Sequence, residues 1–227
     1  VSIDARTSKP RESAYRIFGN DVNVMTTQTN ESAFLELVMR EGGVEKIFVF
    51  ASYDVRQKYI GYWNDDGETI TWLGKKLDDT EASGIDIDSS RFVTSLDYFK
   101  WLVHDYVNPD NVIVCDYDEN SDINQSIVSM NDMATKIISA VNESGDDVVL
   151  HADMTGGLRN ASMMMLGVMR LMEYSNIQLG RILYSNWVSG PNRVSWVEDA
   201  KKVYDFFDLV AGAKEFARFG SVKEIKE

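Results

Sequence analysis

The residues best placed to do chemistry lie in one stretch, His151-Ala152-Asp153-Met154-Thr155-Gly156-Gly157-Leu158-Arg159-Asn160-Ala161-Ser162. A short apolar run, Val148-Val149-Leu150, precedes it and reads as a buried strand, and an apolar helix pattern over 158–174 follows. Strand, tight Gly-Gly turn and helix are the parts of a phosphate site. Gly156 and Gly157 let the backbone approach a ligand with no Cβ in the way. The first free N–H groups of the helix then point at that ligand, and the helix dipole adds to the attraction. Thr155 can donate a hydroxyl, and Arg159 supplies a full positive charge able to hold a phosphate bidentately. An ordinary strand-to-helix turn would also use Gly, for geometry alone. The crowding of Asp, Thr, Gly, Gly and Arg into 153–159 favours the ligand site.

The elements around this stretch alternate between strand and helix. Ile3-Asp4 ends a first strand, and Ala5-Arg6-Thr7-Ser8-Lys9-Pro10 follows as a polar loop, either solvated or a second phosphate-contacting segment. Ala14 to Phe18, Gly19-Asn20-Asp21 and Val22 to Met25 read as a hairpin. A helix capped by Thr29 or Asn30 carries Ala33, Phe34, Leu37 and Val38 on one face and stops at Gly42-Gly43. Lys46 to Ala51 is a continuous apolar strand of the doubly buried, parallel kind. Ser52 and Tyr53 fall at its carboxyl end, where open α/β sheets place ligands.

A second hairpin over 58–73 turns at Asp66-Gly67, and the acidic stretch 78–90 is expected to be a mobile solvated loop. A helix over 95–107, with Tyr98, Phe99, Leu102 and Tyr106 inward, ends at Asn108-Pro109-Asp110. Val112 to Cys115 is a buried strand, followed by the acidic run 116–122 and a helix over 123–141. After the Gly-Gly turn come a strand over 181–186, a return strand over 194–197 and a closing helix over 198–219. In that last helix Val203, Phe206, Phe207, Val210, Phe216 and Phe219 are the expected buried set. This succession predicts an α/β, Rossmann-like fold: a mostly parallel central sheet flanked by helices, with hairpin insertions. The 158–174 helix is apolar nearly all round, since Met163 and Leu166 interrupt its polar stripe. A second layer, such as another subunit, is expected to cover it, with Gly167 allowing close approach.

Composition narrows the function. The chain has 227 residues, 44% hydrophobic and 26% charged, within the range of one soluble globular domain. A formal net charge of -13 disfavours broad duplex nucleic-acid binding but leaves room for a small anion held locally. The single Cys115 excludes an internal disulfide framework and fits a reducing compartment. No apolar run is long enough to span a bilayer, and no signal peptide opens the sequence, so a cytoplasmic location is expected. The start at Val1 suggests trimming.

Taken together, the Arg6-Thr7-Ser8 loop, the Tyr15–Met25 hairpin, the strand ending in Ala51-Ser52 and Asp153-Met154-Thr155-Gly156-Gly157-Leu158-Arg159 resemble the CARF domain, the CRISPR-associated Rossmann fold of type III CRISPR systems. The closing 204–220 segment is also similar to the end of such a domain. The resemblance spans nearly the whole chain: 1–220 as a ligand-sensing domain, and 221–227 as the start of a linker to an effector. It implies a homodimer that binds one cyclic oligoadenylate ring across its twofold axis, with tetra- and hexa-adenylate as candidate rings and no other cofactor. The implied ligand-binding set is Arg6, Thr7, Ser8, Ser52, Tyr53, Met154, Thr155, Gly156, Gly157, Leu158, Arg159 and Asn160. Repeated amide and hydroxyl donors suit a symmetric ring of phosphates and 2′-hydroxyls.

Catalytic residues are not assigned. Effectors joined to such domains often carry Arg-x₄₋₆-His, and neither His104 nor His151 has that partner. Both read as structural. Glu198-Asp199-Ala200-Lys201 reads as a helix-start charge arrangement, and Asp116, Asp118, Glu119 and Asp122 as a solvated loop rather than a cation site. The leading expectation is therefore a sensor module. A ring nuclease remains the alternative, because in-line attack by a bound 2′-hydroxyl needs only alignment and charge stabilisation. Thr155, Arg159, Arg6, Thr7 or Ser8 could supply these. A mononucleotide-binding Rossmann domain is the third reading.

Overall fold

The computed structural model describes residues 3–4, 9–19, 21–27, 29–118, 120–145, 148–155, 159–188 and 194–220. In chain order the elements are β1 (Ile3–Asp4), β2 (Lys9–Pro10), β3 (Ser13–Ile17), β4 (Val22–Thr26), α1 (Thr29–Glu41), β5 (Ile47–Ser52) and α2 (Tyr53–Gln57). Then come β6 (Tyr59–Trp63), β7 (Ile70–Leu77), α3 (Asp79–Ala82), β8 (Phe92–Thr94), α4 (Ser95–Val103), β9 (Val112–Tyr117) and α5 (Ile123–Ser144). The chain closes with β10 (Val149–Asp153), α6 (Arg159–Tyr174), β11 (Gln178–Asn186), β12 (Ser195–Asp199) and α7 (Lys201–Phe219).

The fold is α/β and Rossmann-like. A five-stranded sheet runs β10-β11-β12-β3-β4, and β5 pairs in parallel with β9 as a separate ribbon. The β10/β11 and β12/β3 pairs are parallel; β11/β12 and the β3/β4 hairpin are antiparallel. Side-chain alternation assigns the layers. Phe48, Phe50 and Leu150 pack with Met133, Ile137 and Val168 of α5 and α6. Ile47 and Val49 pack on the opposite side with Phe34 of α1 and Val103 of α4. A smaller antiparallel sheet, β7-β6-β8, carries the second hairpin. Gly61 is required there, because a Cβ would stand 2.7 Å from the Thr71 carbonyl oxygen.

Several expectations are corrected. The 78–90 stretch is structured: Asp78 and Glu81 form a capping box that starts α3, and Asp88 caps a 3₁₀ turn at Ser89–Arg91. Helix α4 stops at Val103, four residues early, which leaves Tyr106 exposed. Among the described residues, β1 pairs with β2 rather than with the central sheet, and both lie against β7. Gly167 does permit close approach, but to its own chain, since a Cβ there would meet the Met130 side chain of α5 at 2.1 Å.

The largest correction concerns the last helix. It begins at Lys201, because Glu198 and Asp199 belong to β12. Its expected buried set is exposed: only Tyr204 and Gly212 are buried in α7, while Phe206 and Phe216 keep 59% and 58% of their surface. The periodicity is real but points the other way. Tyr204, Asp208, Ala211 and Gly212 share the face turned to the body, where Tyr204 bonds Glu173 and Asp208 bonds Arg170 of α6. Those pairs run in opposite sequence directions, so α6 and α7 are antiparallel. Leu166 of α6 packs into the cluster that holds Tyr204. The second layer over that part of α6 is therefore α7 of the same chain, while Met163 stays 72% exposed.

Candidate functional site

The carboxyl end of β10 is built by short-range hydrogen bonds that the Asp-x-Thr sequence makes possible. The Thr155 N–H donates to Asp153 Oδ1 at 2.8 Å, an Asx turn that bends the chain as it leaves the sheet. Asn30, in the first turn of α1, donates from Nδ2 to Asp153 Oδ2 at 2.7 Å and to the Thr155 carbonyl at 3.0 Å. One level down, the Ser185 N–H of β11 donates to Thr155 Oγ1 at 2.7 Å. The Ser185 and Ser32 hydroxyls meet at 2.8 Å in the buried interior. These bonds tie α1, β10 and β11 together directly beneath the turn. Thr155 is buried, so its oxygen anchors the turn to β11 rather than standing open as a ligand contact.

A cavity of about 680 Å³ opens beside this turn. Near the turn, Ser52, Asn30, Asp153, Thr155 and Ser162 are among its polar lining residues, with Met154 beside them. Ser52 is the half-buried last residue of β5, so β5 and β10 bring their carboxyl ends to one cavity, the position open α/β sheets use for ligands. Tyr53 opens α2, is exposed and is not among the cavity-lining residues. A cation that periodicity did not single out stands nearby: Arg56 donates from Nε to the Ala51 carbonyl at 2.9 Å and pairs with Asp116 at 3.4 Å. Of the remaining expected contacts, Arg6, Thr7, Ser8, Gly156, Gly157 and Leu158 lie outside the described residues. So do the side chains of Arg159 and Asn160, although both open α6. The strands flanking Arg6–Ser8 sit against β7.

The chain matches no protein-family model and no curated protein.

The two histidines are held structurally. The Arg181 N–H donates to His151 Nδ1 at 3.0 Å, and burial lowers the pKa of that ring. His104 is exposed and bonds the Trp101 carbonyl. Burial pushes the Cys115 thiol up to about 11, which makes it a poor nucleophile. Asp122 caps α5 by accepting from the Gln125 N–H, and Asp118 accepts from the Asn120 N–H. Asp199 accepts from the Lys201 N–H at the start of α7 and pairs with Arg181. Among the described residues, no group of three acidic, His or Cys side chains could hold a metal ion, and no helix is long and apolar enough to cross a membrane.

Asp153, part of the ligand motif in sequence, is a framework residue of the turn. Burial raises its carboxyl from 3.8 to about 6, against the opposing pull of its bonds from Thr155 and Asn30. Between those two values the native state holds a proton that the unfolded chain has released. Its contribution to stability therefore rises as pH falls through this window and is lost above about 6. Asp153→Asn keeps an acceptor for the Thr155 N–H and removes the charge, while its amide NH2 faces Asn30 Nδ2 and gives up that bond, so the full gain is an upper bound. At pH 8 the variant is expected to be more stable than the parent by up to about 3 kcal/mol, with the gap closing toward pH 4. Urea denaturation at pH 8, 6 and 4 checks this, and a variant less stable at every pH would refute it.

Proposed function

We propose that the protein is a sensor domain that binds a cyclic oligoadenylate, one ring across two copies of the chain, in the cytoplasm of a cell with a type III CRISPR system. The observation that carries this reading is the shared mouth of β5 and β10. Ser52 and the Asp153–Thr155 turn line one cavity there, next to the start of α6, with Asn30 holding the turn in place. A helix start and a strand-end turn favour a bound anion even in a chain of net charge -13. A ring with phosphates all round needs such a mouth twice, and a twofold axis supplies the second.

Calorimetric titration with cyclic tetra-adenylate and cyclic hexa-adenylate tests the reading. Saturation by one of them at one ring per two chains is expected. Saturation at one ring per chain, or no heat from either, would overturn it. Chromatography of the recovered ring is expected to show it intact; rapid conversion to linear products in EDTA would make the protein a metal-independent ring nuclease instead.

A further inference from the structure

Strands β5 and β10 present an unusual juxtaposition. Among the described residues each is paired on one side, β5 with β9 and β10 with β11, and the cavity of about 680 Å³ lies between them. Their side chains keep the same in-and-out alternation, as though the two strands belonged to one sheet. The cavity is therefore bounded in two different ways. Above and below, it has apolar surfaces: Phe34 and Phe99 from the α1 and α4 layer, Met165 and Met169 from the α5 and α6 layer. At its two rims it has strand edges, whose peptide groups alternate N–H donors and C=O acceptors.

We propose that this space is a slot for a purine base, lying in the plane of the sheet with its two faces on the apolar layers and its edges hydrogen-bonded to β5 and β10. An aliphatic ligand would leave the peptide groups of both rims unpaired, whereas a flat heterocycle carries ring nitrogens and exocyclic groups around its perimeter. The volume falls within the roughly 300–1,000 Å³ usual for small-molecule sites. The lining runs the length of both strands, and at their carboxyl ends it includes Ser52, Asn30 and Thr155, the end proposed for the sugar and phosphate. This inference rests on the nucleotide reading for its orientation: the sugar and phosphate stay at the mouth and one base of a ring goes inward from each chain.

Hydrogen exchange of the amides of 47–52 and 149–153 tests it, with adenosine, ribose 5-phosphate and cyclic tetra-adenylate as probes. Adenosine and the ring are expected to slow exchange in both strands by at least about tenfold, and ribose 5-phosphate to leave it unchanged. Met165→Trp, which fills the slot, is expected to weaken adenosine binding at least about tenfold, and Met165→Leu to restore it. Should the Trp variant fail to fold, the exchange pattern of the parent protein decides. Strong protection, without any probe, of the β5 amides not bonded to β9 and the β10 amides not bonded to β11 would mean that β5 and β10 pair directly, and would overturn the slot. Ring binding that leaves both strands unprotected would overturn the slot and spare the ring reading. Protection by adenosine with no ring binding would do the reverse.

Discussion

Arg159→Glu is expected to weaken binding of the cyclic oligoadenylate by on the order of 30- to several-thousand-fold, corresponding to about 2–5 kcal/mol. Arg159 is the first residue of α6, one turn from the Asp153–Thr155 bend that the cavity uses. On the proposed reading, reversal at this helix start replaces an attraction for the ring phosphates with a repulsion. A Glu in the first turn suits the helix dipole, so the thermal melt is expected to stay within a few degrees of the parent. Arg159→Lys should lose less, because a point charge survives while the bidentate fork does not. Unchanged affinity in the Glu variant would remove Arg159 from the site.

Phe206→Asp combined with Phe216→Asp is expected to convert a dimer into a monomer and raise its dissociation constant at least roughly a thousandfold. On α7, Phe206 and Val210 lie opposite the face that holds Tyr204 and Asp208, with Val203, Phe207, Leu209 and Phe216 on its flanks, all exposed. Together they offer on the order of 600 Å² of apolar side chain, most of the roughly 800 Å² that a stable interface takes from each partner. The helix is also close to charge-balanced within a strongly acidic chain. Lys201, Lys202, Lys214 and Arg218 face Asp205, Asp208 and Glu215 in its sequence, so two copies can approach there with little repulsion. Sedimentation at tens of micromolar, together with a ring titration, checks this. A monomeric parent protein would refute it, as would a double variant that remains a dimer. A charge at Leu166 would act differently, since that side chain packs inside the cluster with Tyr204 and its replacement would loosen the fold.

Much of the architecture was legible in the order of apolar runs. The β3–β4 hairpin, α1 with its stop at Gly42, the parallel strands β5 and β9, and α5 after its Asp122 cap all follow from local pattern and turn chemistry. Helix α2 was not legible because it is five residues long, buries nothing and has no side-chain cap. The orientation of α7 was missed for another reason. A 3.6-residue period says which side chains share a face, yet both faces of α7 have apolar members, and only the Arg170 and Glu173 partners on α6 select the one turned inward.

The candidate site divides in the same way. Asp-x-Thr announced a bend at a strand end, and the bend is there. Its main support, Asn30, lies 123 residues away from Asp153, and no local spacing could name it. Asp153 itself read as part of a ligand motif, whereas burial makes it the framework of the turn. The two-piece arrangement of the sheet was equally out of reach, because the apolar runs of β5 and β10 read as neighbours whether or not they pair.

The pairing of β3 with β12 has a consequence for synthesis. Tyr15 sits opposite Ser195 and Arg16 opposite Trp196, so the amino-terminal hairpin finds its parallel neighbour only near the far end of the chain. At translation speeds of about 5–20 residues per second, roughly 10–35 s separate the two. Throughout that interval the β3 edge of the nascent hairpin is open as well as the β4 edge, and Tyr15, fully enclosed in the finished protein, is in water. Neighbouring chains on the same messenger carry the identical open edge. Nascent-chain chaperones would therefore meet residues 13–26 in this open form, before the β5 and β10 ends come together.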